Sequence, residues 1–159
     1  MKALVVYDSV FGNTEQVARA IGAALGSPED VRVLRAGAVE PGQLGGMDLL
    51  IAGSPTRAFR PTPAITKWLR SIPAQGLAGV RVAAFDTRIS MADPAPGILR
   101  FMVRLFGYAA QPMAGRLVKK GGEPAAPPEG FFVSGSEGPL KEGELERAGA
   151  WARQLVAAR

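Results

Sequence analysis

The chain contains neither cysteine nor histidine. Without sulfur of that kind there is no disulfide framework, no thiolate nucleophile and no iron–sulfur or zinc cluster held by cysteine. Without imidazole there is no Ser-His-Asp triad, no histidine-ligated metal and no side chain whose ordinary pKa lies near neutrality. Long apolar runs are missing too: Asp, Gly or Arg interrupts every candidate well short of the roughly 20 residues that a membrane span needs. Clustered charge is also absent. The 19 Lys and Arg against 14 Asp and Glu give +5, yet the positives are scattered and no basic run exceeds Lys119-Lys120. Such dispersal reads as a solvated surface, so neither nucleic acid nor a membrane is expected as a partner. The first strand-like run, 3–7, follows Lys2 directly, without the zones of a signal peptide, and the expected location is cytoplasmic.

What is present fits one α/β domain over residues 1–159. Hydrophobic residues at 47% and charged residues at 21% are ordinary globular values, and a chain of this length buries a core without crosslinks. Short apolar, β-rich runs at 3–7, 31–34, 49–53 and 80–85 alternate with segments of helical spacing. A fifth strand is expected near Leu117-Val118 or at 131–133. The first helix carries Val17, Ala20, Ile21, Ala24 and Leu25 and stops at Gly26. Thr62 as N-cap and Pro63 in the first turn open a second, with Ile65, Trp68, Leu69 and Ile72 on its apolar face. A third is expected from about Pro96 to Phe106. The last is expected to begin after Gly138-Pro139, with Glu142, Glu144 and Glu146 near its positive end. Residues 120–130 read as an irregular solvent loop. Strand alternating with helix predicts a doubly wound, five-stranded parallel sheet with helices on both faces.

Ligands of such sheets bind at the carboxyl ends of the strands, from which three loops depart: 8–14, 54–62 and 86–94. The first, Ser9-Val10-Phe11-Gly12-Asn13-Thr14, places hydroxyls, a glycine and an asparagine between strand and helix, so that free backbone N–H groups converge at a helix N-terminus. That is an anion cradle without basic side chains, the first cation downstream being Arg19. Ser9 and Thr14 also suit simple helix capping. A Walker A loop is excluded by the missing lysine, and no GxGxxG follows the first strand. A phosphorylation-receiver site is excluded because the third strand ends Ala52-Gly53-Ser54 instead of at an aspartate.

These loops resemble those of flavodoxin and the flavodoxin-like FMN proteins. Ser9, Gly12, Asn13 and Thr14 match the family's phosphate loop, with Phe11 departing from it; Gly53-Ser-Pro-Thr-Arg-Ala-Phe59 looks like the loop that edges the flavin ring, and Asp86-Thr87-Arg88 begins where the family's other flavin loop begins. The resemblance implies the strand order 2-1-3-4-5, of which flavodoxin is itself a standard example, with FMN at the switch point. It also implies a cofactor site of Ser9, Val10, Phe11, Gly12, Asn13, Thr14, Pro55, Thr56, Arg57, Ala58, Phe59, Asp86, Thr87 and Arg88, with no catalytic side chain and no metal. Phe59 either stacks on the flavin or folds back onto the sheet, and the third loop lacks the family's tyrosine. Arg57 and Arg88 are expected beside the ring as positive charges. The implied function is electron transfer between redox partners by a monomer or homodimer; the +5 charge and the loop arginines, and not the resemblance, point to an acidic partner protein. An FMN-dependent reductase of quinones using NAD(P)H, and an interaction module without cofactor, stand as alternatives.

Overall fold

Every residue of Ala3–Tyr7 is buried, which a strand achieves only with neighbours on both edges and helices over both faces. The computed structural model describes residues 1–89, 97–98 and 107–157. The strands are β1 (Ala3–Tyr7), β2 (Val31–Arg35), β3 (Leu49–Pro55), β4 (Arg81–Ile89), β5 (Glu123–Pro124) and β6 (Glu129–Val133). The helices are α1 (Asn13–Leu25), α2 (Pro63–Ser71), α3 (Ala110–Lys119) and α4 (Glu144–Ala157). All strand pairs are parallel, in the order β2-β1-β3-β4-β5, with β6 also on β4. Among the described residues no helix is long and apolar enough to cross a membrane.

Alternation along each strand divides the core in two. Val5, Ile51, Phe85 and Phe131 face α1 and α4, whereas Leu4, Val6, Leu50 and Ala84 face α2 and α3. The first layer centres on Phe85, Phe131 and Trp151, whose rings meet edge to face at 5.9 to 6.3 Å between centroids. Thr62 caps α2 through its side chain, accepting from the Ile65 amide, as its sequence suggests.

Several expectations change. The fifth strand position is shared by β5, opposite Arg81 and Val82, and β6, opposite Phe85 to Ile89. Residues 125–128, Ala-Ala-Pro-Pro, separate them because proline has no N–H to give a ladder. The stretch 120–130 is thus not wholly irregular. Leu117 and Val118, the other candidate for this strand, belong to α3. That helix was hidden by Pro112, which is tolerated because it falls in the first turn, where no intrahelical bond is lost. β4 continues to Ile89, so Asp86, Thr87 and Arg88 lie on a strand and not in a loop. The last helix begins at Glu144; the residues before it return along the free edge of β6, where Leu140 bridges Val133 and the Lys141 amide donates to the Phe132 carbonyl at 2.9 Å. The Glu144 carboxylate accepts the Phe132 amide at 2.7 Å and pairs with Arg147, which covers that edge against pairing with other chains. The expected helix 96–106 lies outside the described residues except for Gly97 and Ile98, which are helical.

Gly53 is opposite Phe85 in the sheet, and the aromatic ring lies over it. A β-carbon there would sit inside the van der Waals envelope of the ring. Gly53→Ala should therefore push Phe85 away from Phe131 and Trp151 and destabilise the protein by about 1–3 kcal/mol. Urea unfolding measures it; an unchanged midpoint contradicts this packing.

Candidate functional site

Parallel register brings the carboxyl ends of four strands to one edge of the sheet: Tyr7 pairs with Gly53, Pro55 with Thr87, and Ile89 with Val133. The winding reverses between β1 and β3, and a cavity of about 370 Å³ opens there, within the size range of small-molecule sites.

The first wall is the turn from β1 into α1. The Ser9 hydroxyl oxygen accepts from the amides of Gly12 (3.1 Å) and Glu15 (3.4 Å), folding the loop on itself. Gly12 holds a φ of 93° at the helix start, a left-handed conformation that glycine adopts without penalty. The amides of Val10, Phe11, Asn13 and Thr14 donate to nothing among the described residues, and all four residues line the cavity. Thr14, the hydroxyl that the sequence offers to an anion, is buried and shares a 2.8 Å hydrogen bond with the Thr87 hydroxyl. The unpaired donors of this wall are thus mainly backbone amides, joined by the Ser9 hydroxyl, which accepts two bonds and donates none among the described residues.

The second wall comes from the end of β3: Pro55, Thr56, Arg57 and Ala58. Thr56 is held by its neighbours, its amide donating to the Thr87 carbonyl at 3.0 Å and its hydroxyl oxygen accepting from the Ala109 amide at 3.2 Å. The third comprises Thr87, Arg88 and Ile89 of β4. Residues two apart on a strand share a face, so Asp86 and Arg88 meet in a bidentate pair at 2.6 and 2.7 Å, with the Ala110 amide as a further donor to the carboxylate at 2.9 Å. The Arg88 guanidinium also stacks 3.6 Å from the centre of the Tyr108 ring. Its charge, expected to act freely on a ligand, is matched by Asp86. Burial pushes the Asp86 carboxyl above its usual range, and the Arg88 guanidinium and the Ala110 amide pull it back only in part.

Of the residues singled out in the sequence, Ser9, Val10, Phe11, Asn13, Thr14, Pro55, Thr56, Arg57, Ala58, Thr87 and Arg88 line the cavity. Gly12, Phe59 and Asp86 do not; they shape the loops and strand that carry the others. A fourth wall, Val133, Ser136 and Glu137, was missed. It follows β6, and its signal was the polar run Ser134-Gly-Ser-Glu137 after a strand candidate. The Asn13 side-chain amide donates to the Glu137 carbonyl at 3.0 Å, tying this wall to the first.

The fold has many solved counterparts. Flavodoxin 2 from Bacillus cereus, in its oxidised form, superposes with a TM-score of 0.78 over 100% of both chains at 22% identity. A flavodoxin from Streptococcus pneumoniae gives 0.73 over 100% of both chains at 19% identity. The chain has the flavodoxin fold. Within the rubredoxin oxygen:oxidoreductase of Desulfovibrio gigas the same fold occupies part of a larger protein, with a TM-score of 0.72 at 20% identity over 99% of this chain and 35% of that one. No family model and no curated protein matches the chain by sequence. In flavodoxin-fold terms, the cavity lies at the switch point between β1 and β3 where this topology places its ligands.

Replacing Arg88 by Met leaves the Asp86 carboxylate, fully buried at 0% exposure, with the Ala110 amide as its remaining hydrogen-bond partner among the described residues. The loss at neutral pH should be on the order of 3 kcal/mol. A carboxyl whose folded pKa lies above its unfolded value loses stability as pH rises through that interval. The Arg88→Met penalty should therefore shrink on acidification toward the carboxyl range. Equal penalties by urea unfolding at acidic and neutral pH contradict the pairing.

Proposed function

We propose that the chain binds FMN in this cavity and carries electrons as a flavoprotein. The observation that carries the reading is the set of unpaired amides at Val10, Phe11, Asn13 and Thr14, gathered at the N-terminus of α1 and open to a cavity of about 370 Å³. N–H groups that a helix cannot pair, aided by its dipole, suit a phosphate monoester without any lysine or arginine. The donor set, four amides with the Ser9 hydroxyl beside them, fits a dianion held without basic side chains.

The remaining walls suit a flat, largely apolar ring system. Val10, Phe11, Pro55, Ile89 and Val133 supply apolar surface, and Thr56, Thr87 and Ser136 supply polar groups at its margins. Bound FMN would supply the redox chemistry, taking up and releasing one or two electrons. The protein's part is to bind, orient and set the electrostatic surroundings. Thr87 and Thr56 bind to each other's strand or loop and to Thr14 and Ala109, so the walls hold their spacing without a ligand. Arg57, exposed and without a carboxylate partner among the described residues, is the cation whose charge acts on the site unmatched.

If the amides hold a phosphate, FMN quenches on binding and riboflavin binds at least about tenfold more weakly, a difference of roughly 1.4 kcal/mol. Gly12→Ala forces an ordinary residue into the left-handed conformation at a cost of about 1–2 kcal/mol and should narrow that difference while the far-ultraviolet spectrum is kept. Fluorescence titration with the two flavins decides the matter: equal affinities remove the phosphate cradle, and no binding of either flavin removes the flavoprotein reading.

A further inference from the structure

The mouth of the cavity carries an arrangement that the fold itself does not require. Arg57 and Arg60 face each other across a two-residue turn, each amide donating to the other's carbonyl, at 2.8 and 2.9 Å. The tip residues Ala58 and Phe59 have φ values of 48° and 67°. This is the type I′ pattern, which Asn-Gly adopts readily; each residue with a β-carbon pays about 1–2 kcal/mol to enter it. Like charges directly opposite on paired strands add repulsion. Neither guanidinium has a carboxylate within ion-pair distance among the described residues. Other arginines at this end of the sheet are matched, Arg35 with Asp8 at 3.3 Å and Arg88 with Asp86 at 2.6 Å.

The same rim exposes apolar surface. Val10 and Phe11 are 50% and 48% exposed, and the Arg57 guanidinium lies 5.6 Å from the centre of the Phe11 ring. Two cations without a carboxylate partner among the described residues, paired across a strained turn, with Arg57 over the exposed Phe11 ring, make a preformed surface suited to negative charge. We propose that Val10, Phe11, Arg57 and Arg60 form the docking surface for an acidic protein. This rests on the cavity being a redox site, because only then must a partner approach its mouth. Arginine with an aromatic neighbour is the composition enriched at protein interfaces. Both arginines are exposed, which suits a protein rim better than a small phosphate, whose tight capture needs desolvated donors. The chain's net charge of +5 acts in the same sense over longer range. The exposed acid of the cavity wall, Glu137, lies on the separate 134–137 turn and pairs with neither arginine.

The probes are two small haem proteins of similar size, one acidic and one basic, in the oxidised, paramagnetic state. Each is titrated into the 15N-labelled chain, with and without FMN, at low and high salt. The acidic probe should broaden the amide signals of residues 10–11 and 57–60 at low salt, with recovery at high salt, and the basic probe should leave them sharp. Arg57→Glu with Arg60→Glu should weaken the acidic probe by about tenfold or more, and the milder Arg60→Gln by less, each in a spectrum whose remaining signals report an intact fold. Preference for the basic probe, broadening centred elsewhere, or wild-type affinity in the double variant overturns the proposal. Broadening by the acidic probe in a chain that takes up no FMN keeps the docking surface and removes the redox reading. FMN uptake without broadening removes the docking surface alone.

Discussion

The first turn of any α-helix carries N–H groups that the helix cannot pair, and here that deficit is placed at the carboxyl end of the most deeply enclosed strand. β1 is flanked by β2 and β3 and covered on both faces, so its direction is fixed by the whole core. α1 must start within a few residues of Tyr7 to pack Val17, Ala18 and Ile21 onto the same sheet. The turn between them then has little freedom. Ser9 satisfies the amides of Gly12 and Glu15, and the others stay open to the cavity.

Around that turn the charges fall into two kinds. Asp86 and Arg88 form a matched pair in which one carboxylate joins β4 to the start of α3 and to a guanidinium stacked on Tyr108. Glu144 and Arg147 do the same at the far edge, where Arg147 also donates to the Gly130 carbonyl and lies over the Phe131 ring. Burial works against ionising Glu144, but the Arg147 guanidinium and the Phe132 amide hold its carboxyl below the usual range. The first pair leaves no net charge behind, and in the second Arg147 is shared with Glu129 at 3.3 Å. Arg57 and Arg60 differ, being cations on a strained turn at the surface. The paired charges hold walls and edges in place, and the docking proposal rests on the two that have no carboxylate partner among the described residues.

The strands 3–7 and 49–53 were legible because a buried parallel strand reads as a continuous apolar run, whereas 31–34, on the sheet edge with Arg32 exposed, was read from its β-branched Val31 and Val33. Thr62-Pro63 was legible for a local reason as well, since capping is decided within one turn. α3 was not. Its apolar positions Ala110, Met113 and Leu117 are spaced for a helix, but Pro112, harmless in the first turn, and Gly115 mask the pattern, and packing against β4 and α2 offsets the low propensity of Gly115. The division of the fifth strand position was likewise set by pairing with β4, a contact between residues about forty positions apart. In the site, the first two walls were read from their loops. The matching of Arg88 by Asp86 depends on β4 extending past Phe85, and the Val133–Glu137 wall depends on where β6 ends.

In the proposed function the amides of one turn hold the phosphate without help from basic side chains. The direct measurement is the 1H–15N correlation spectrum during addition of FMN. The amide protons of Val10, Phe11, Asn13 and Thr14 should move downfield together, in step with flavin quenching, while those of Gly12 and Glu15, already bound to the Ser9 hydroxyl, move little. FMN binding that leaves the first set unmoved would contradict the assignment of this turn as the anion site.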